Sequence, residues 1–323
     1  MNLIEINRES GIPLIGLAYI GVLVRNNNNL IQVRPTTLCN LNCPFCSTDS
    51  GLSSRHNTQF NVELKWLLEW IKEVVDYTKA DWVHIDSVGE PFMYKDLIGL
   101  IKESKKINGV KKVSVITNGS LLDKKEIKQL EDAGLDRINV SLHSLDKEKS
   151  KLLFGSNNYK IDKVADALKL LARTKIELWL TPVYMPGVND NDVEGIIKFA
   201  KEINCRVCLQ KYEIHKFGRK MKHVKIQNYY KFYKALDELE KKFGVKLKLE
   251  NQDMRLKRVR KIPVKLEAGK TYDVDVKENG WFSGQMIGVA ENRAVTIMDC
   301  GKKSGSRIKA KVLENKNNIY IVK

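Results

Sequence analysis

Residues 34–51 read RPTTLCNLNCPFCSTDSG, a stretch that leaves an apolar strand and sets Cys39, Cys43 and Cys46 at a C-x3-C-x2-C spacing. Three thiolates on one loop can each take one iron of a four-iron cubane and leave the fourth iron open to a ligand. Zinc would call for a fourth cysteine or histidine, and none stands at metal-site spacing nearby, so zinc is the weaker reading. Six cysteines in 323 residues, three of them clustered, fit reduced thiols better than a disulfide framework.

Outward from that stretch the pattern alternates. The strand IQVRPT (31–36) is followed by WVHID (82–86), KVSVIT (112–117), RINVSL (137–142), IELWLTPV (176–183) and RVCLQKYE (206–213). Helical periodicity runs between them over 62–77, 94–107, 124–133, 161–173 and 192–203, and again over 228–243. Six strands joined by helices imply parallel crossovers, and six units rather than eight imply an α/β fold of the partial (β/α)6 TIM-barrel type. Ahead of it, apolar runs on either side of Asn26 to Asn29 predict an N-terminal β-hairpin. Beyond Leu249 helical periodicity stops, and TYDVDV, MIGVA, AVTIMD, RIKAKVLE and NIYIVK predict a small β-barrel of the oligonucleotide-binding kind. The expected segments are a hairpin extension (1–30), the partial barrel (31–250) and the small barrel (251–323).

A hydrophobic share of 43% beside 29% charged residues excludes a disordered or collagenous chain. The most apolar early run, Ile12 to Val24, is broken by Gly16 and Gly21 and is too short to span a bilayer. It also lacks the flanks of a signal peptide, so a cytoplasmic location is expected.

At the cysteine triplet the chain resembles the radical S-adenosylmethionine (SAM) superfamily, with the likeness running from about Ile31 to Phe243. The resemblance implies a [4Fe–4S] cluster on Cys39, Cys43 and Cys46 whose open iron chelates SAM. It also implies an electron donor such as a ferredoxin or flavodoxin and cleavage of SAM to a 5′-deoxyadenosyl radical. It gives Phe45 a place near the adenine, although a packed loop residue would look the same. The segment DSVGEP retains Gly89, Glu90 and Pro91 of the family's ammonium-binding G-G-E-P, with Val88 in place of its first glycine. Asn118 and Ser141, at the ends of the third and fourth strands, become candidate contacts to the ribose or methionine of SAM. Asn118 also suits a plain turn before Gly119. His143 is a possible substrate contact or an incidental loop histidine, while Asp190 and Asp192 read as structural. Some members carry a second cluster, but Cys205, Cys208 and Cys300 read better as buried free thiols.

The charge suggests the substrate. Of a net +17, residues 211–225 carry +5 and residues 251–323 carry +8, leaving +4 for the other 235. The run QKYEIHKFGRKMKHVK interleaves Lys216, Arg219 and Lys220 with Tyr212 and Phe217, and Arg255, Lys257, Arg258, Arg260 and Lys261 precede the small barrel. Basic groups neutralise phosphates and aromatic faces stack unpaired bases, so an RNA partner, tRNA first, is expected. The whole chain looks like an archaeal group of radical SAM proteins with an appended barrel resembling the TRAM domain, an RNA-binding module. The alternative is action on a peptide, a protein side chain or a small metabolite, with the small barrel as a gate or oligomer contact.

Overall fold

The computed structural model describes residues 2–25 and 27–323. In chain order the strands begin with β1 (Asn2–Ile6), β2 (Gly21–Val24), β3 (Leu30–Arg34), β4 (Thr58–Val62) and β5 (Trp82–Ile85). They continue through β6 (Lys112–Thr117), β7 (Arg137–Val140), β8 (Glu177–Leu180), β9 (Val183–Tyr184), β10 (Arg206–Val207) and β11 (Gln210–Lys211). The C-terminal set is β12 (Thr271–Asn279), β13 (Met286–Ala290), β14 (Arg293–Ile297), β15 (Arg307–Glu314) and β16 (Ile321–Val322). Seven helices of eight residues or more lie among the described residues: α1 (Leu64–Thr78), α2 (Leu97–Lys106), α3 (Lys124–Asp132), α4 (Lys147–Phe154), α5 (Ile161–Leu171), α6 (Asp190–Glu202) and α7 (Tyr229–Phe243).

The chain divides into two compact units, one of residues 1–38, 54–113 and 257–323, the other of residues 39–53 and 114–256. Residues 257–323, which hold the small barrel, fall in one unit with residues 1–38.

In the first unit β2 and β3 form the expected antiparallel hairpin, Gly21 opposite Arg34, and β3 pairs in parallel with β5. Alongside, β1 pairs in parallel with β4, a pairing that sequence alone did not suggest. Helix α1 buries Leu67, Trp70, Ile71, Val74 and Val75, the i, i+3, i+4 stripe that made it predictable, and ends at Lys79 in the left-handed conformation. The five C-terminal strands close into a barrel in the order β12-β13-β14-β16-β15. Period-two positions fill it: Val274 and Val276, Val295 and Ile297, Ala310 and Val312, with Tyr320 across the middle. Residues 12–20 lie against the outside of this barrel. Ala294 donates its N–H to the Ile15 carbonyl at 2.9 Å, and Tyr320 does the same to Gly16 at 2.9 Å. Tyr19 packs on Trp281, whose ring stacks on His56 at 3.8 Å between centroids.

In the second unit β6, β7, β8 and β10 pair in parallel in that order. The two longest predicted strands, 176–183 and 206–213, are each split. Pro182 has no N–H for the ladder, so β8 ends before it and β9 resumes beyond it, paired with β11. Helix α4, absent from the periodicity reading, is capped by the Asp146 side chain, which accepts from Lys149 N–H at 2.7 Å. No helix among the described residues is long and apolar enough to cross a membrane.

Candidate active site

The three cysteines lie on one loop of the second unit, ahead of any regular element, so side-chain and backbone contacts must fix its course. Asn42 N–H donates to Phe154 O at 3.1 Å, and Cys46 N–H closes a turn on Cys43 O at 3.1 Å. The Cys46 sulfur receives Ser50 N–H and lies beside Thr48 Oγ1, both at 3.3 Å. Donors aimed at a sulfur tune whatever it ligates. All six cysteines are free thiols.

Burial, reinforced by the charges of Cys46 and Cys39, pushes the Cys43 thiol upward, while Arg219 works in the opposite direction. That coupling means the three sulfurs feel one another. Yet no three Cys, His, Asp or Glu side chains among the described residues converge where one ion could sit. Three free thiols on one loop can each take a separate iron, and so the donor set fits a [4Fe–4S] cluster.

Phe45 is buried in a small cluster with Leu153, Met185 and Tyr212, against which Cys43 packs. Its ring meets His143 edge-on at 4.9 Å. His143 is itself buried, accepts Val183 N–H on Nδ1 at 3.2 Å, and is pushed down to about 3 by burial, hence neutral. The structure therefore sets His143 in the packed layer beneath Phe45.

Asn118 follows β6 and belongs to a closed polar ring. Its Nδ2 donates to Asn40 Oδ1 at 3.0 Å, Asn40 Nδ2 donates to Ser120 Oγ at 2.9 Å, and Ser120 Oγ returns to Asn118 Oδ1 at 2.6 Å. The ring ties the cysteine loop to the end of β6. Ser141, after β7, is half-buried, with its N–H on Thr117 O. Asp190 and Asp192 are structural as read: Asp190 accepts from Tyr184 and Gly187, and Asp192 from Ser144.

In the first unit Glu90 is 2% exposed and accepts Phe92 N–H at 3.1 Å, capping the turn Pro91–Met93. Gly89 is obligatory for packing: a Cβ there would lie 2.0 Å from the carbonyl oxygen of Leu38, the residue before Cys39.

The basic loop after β11 departs most from expectation. Lys216 and Lys220 are exposed, and Lys216 lies over the Phe217 ring. Arg219, however, faces inward. Its N–H donates to Cys46 O at 2.8 Å, its Nε pairs with Asp49 at 3.2 Å, and its Nη2 donates to Ser50 O. Next to it, Gly218 passes so close to the Cys46 and Ser47 carbonyls that a Cβ would lie 2.8 Å from each. Tyr212 is buried, its hydroxyl accepting Met221 N–H, so it offers no face to a base. Further along the chain, Arg255, Arg258 and Lys261 are exposed, Lys257 is paired with Asp81 at 2.6 Å, and Arg260 stacks on Tyr77. Helix α7, which helical periodicity alone marks in the sequence, shows exposed Tyr229, Tyr230 and Tyr233.

A parallel α/β strand system carrying a three-cysteine loop at the end of its first strand defines a class of cluster-dependent enzyme. The chain belongs to the radical SAM superfamily, whose family model matches residues 33–200, and members use a [4Fe–4S] cluster and SAM. It is 33% identical to an uncharacterized protein of Methanocaldococcus jannaschii, covering 96% of this chain and 78% of that one. A probable GTP 3′,8-cyclase of Pyrococcus horikoshii is 31% identical, over 76% of this chain and 74% of that one. The structure of Streptococcus suis SuiB bound to precursor peptide SuiA superposes with a TM-score of 0.54 at 17% identity, covering 74% of this chain. The likeness extends over about half of the SuiB chain, 49%.

Proposed function

We propose that this radical SAM enzyme modifies a nucleoside within RNA, tRNA first, by hydrogen abstraction. The observation that carries the reading is a surface of the second unit. Six of the thirteen exposed large hydrophobic side chains among the described residues, Ile214, Phe217, Ile226, Tyr229, Tyr230 and Tyr233, fall within residues 214–233. Lys216, Lys220, Lys222, Lys225 and Lys231 lie in that same stretch. Exposed rings among cations suit stacked bases and their phosphates, whereas a solvated surface would show the lysines without the rings. The relatives named for a GTP substrate support nucleoside chemistry, and the resemblance of the small barrel to TRAM belongs to the same proposal.

When bound, the cluster supplies the electron that cleaves SAM to methionine and the 5′-deoxyadenosyl radical. The protein's part is to hold and orient. Cys39, Cys43 and Cys46 anchor the cluster, and the Asn40–Asn118–Ser120 ring and the Arg219 contacts fix their loop. Glu90 offers a buried carboxylate to the SAM ammonium, while Gly89 and Pro91 set its backbone. Phe45 and Ser141 line the cofactor's adenosyl side, and buried, neutral His143 keeps the layer behind Phe45 dry.

The test is tRNA affinity across a salt series for the full chain and for a triple Tyr229→Ala, Tyr230→Ala, Tyr233→Ala variant. Stacking contributes about 1–3 kcal/mol per base, so the variant should bind at least tenfold more weakly, with the steep salt slope retained. Equal affinity of the two proteins, no tighter than for an unrelated polyanion, would point instead to a peptide or metabolite. Nucleoside analysis of bulk tRNA from a deletion strain then identifies the product.

A further inference from the structure

A cavity of about 580 Å³ opens in the first unit beside the small barrel, and none of its lining residues is among those assigned to SAM. Val74 and Tyr77 of α1 form one wall, Ile262 and Pro263 another, and Ile15 completes the apolar part. Into this apolar setting comes Arg293. It is the first residue of β14 and shares a strand face with Val295 and Ile297, which are 0% and 2% exposed in the barrel core. A charged residue therefore occupies an inward position at the end of the barrel and is only 7% exposed. Its Nη1 donates to Asn292 O at 2.8 Å, its Nε has no hydrogen-bond partner, and it is in none of the ion pairs among the described residues.

Arginine stays charged inside a protein, and a buried cation without an anion carries a desolvation cost that an oxyanion would offset. The volume falls within the range of small-molecule sites. We infer that this cavity binds a small molecule bearing one carboxylate or phosphate, held by Arg293, on an apolar ring or chain seated against Val74, Tyr77 and Ile262. Glu73, exposed among the lining residues, disfavours ligands of higher negative charge.

The experiment is thermal unfolding of the full-length protein in chloride, acetate, benzoate, inorganic phosphate and phenyl phosphate at matched ionic strength. Benzoate or phenyl phosphate should raise the melting temperature saturably, at concentrations at least tenfold below those required of acetate or inorganic phosphate. Arg293→Met should abolish the shift, and Glu73→Gln should strengthen binding a few-fold. Identical melting in all five anions would overturn the assignment, as would a benzoate shift that survives in Arg293→Met. Should Arg293→Met fail to fold, the wild-type anion series and Glu73→Gln decide the matter: a few-fold tightening supports the site, and an unchanged response refutes it.

Discussion

Replacing Arg219 by glutamine removes the charged clasp on the cysteine loop while leaving its neighbours in place. Two of its contacts carry energy: the Nε–Asp49 pair, whose carboxylate side chain is only 2% exposed, and the Nη2 donation to Ser50 O. The 3.4 Å approach of Nη1 to Ser53 Oγ contributes little. Nε lacks hydrogen-bond geometry toward Asp49, so that contact is an ion pair, and removing one partner of a buried charge pair costs about 3–5 kcal/mol. The guanidinium side is 18% exposed, and Asp49 retains other contacts, so the lower figure applies, about 3 kcal/mol with the Nη2 bond included. At 1.4 kcal/mol per decade this is roughly a hundredfold rise in the open population of the loop. Amide hydrogen exchange of residues 46–53, followed by mass spectrometry, reads that population directly. The expected result is exchange about a hundredfold faster there, with α5 and β7 unchanged, and faster loss of reconstituted iron to a chelator. Arg219→Lys should fall between, because lysine keeps the charge but not the fork. Exchange within threefold of wild type, accompanied by weakened RNA binding, would refute the clasp and return Arg219 to the phosphate-binding role suggested by its place in the basic run.

Two further outcomes test the cofactor assignments. Anaerobic reconstitution should give about four irons per chain, and replacing Cys39, Cys43 and Cys46 by alanine should abolish them; retained iron would move attention to Cys205, Cys208 and Cys300. Glu90→Ala should weaken SAM binding by several kcal/mol on removal of a buried charged partner, and it also costs about 1 kcal/mol through the lost cap on Phe92 N–H. Glu90→Gln keeps a cap acceptor, so SAM affinity by equilibrium dialysis that falls equally in both variants assigns the loss to the charge.

Much of this was legible locally. Helix α1 announced itself through Leu67, Trp70, Ile71, Val74 and Val75, the five small-barrel strands through alternation, and the three-cysteine loop through its spacing and family resemblance together. What escaped was set by partners distant in sequence. Residues 2–6, NLIEI, lack the strict alternation that marks a strand, and they pair only because Thr58–Val62 supplies the other edge. Arg219 looked like one more cation in a basic run, since nothing near it in sequence says that Asp49, 170 residues earlier, will face its guanidinium. Tyr212 and Phe217 looked alike as aromatics in a loop, and only the packing of Phe45, Leu153 and Met185 distinguishes the buried ring from the exposed one. Cys205 and Cys208, expected as buried thiols, are half-buried; that burial still raises both, Cys205 to about 12, which keeps them protonated and poor nucleophiles.

The seat of residues 12–20 against β14 and Tyr320 has a consequence for biosynthesis. Ile12, Leu14, Ile15, Leu17 and Ile20 are almost fully covered in the finished protein, yet backbone groups that receive this segment leave the ribosome about 280 residues after it. At about 5–20 residues per second, that apolar segment waits some tens of seconds for its partner. During that interval it is the stretch that chaperones or misassembly would capture, and slowing synthesis of the small barrel should lower soluble yield more than slowing synthesis of the helices before it.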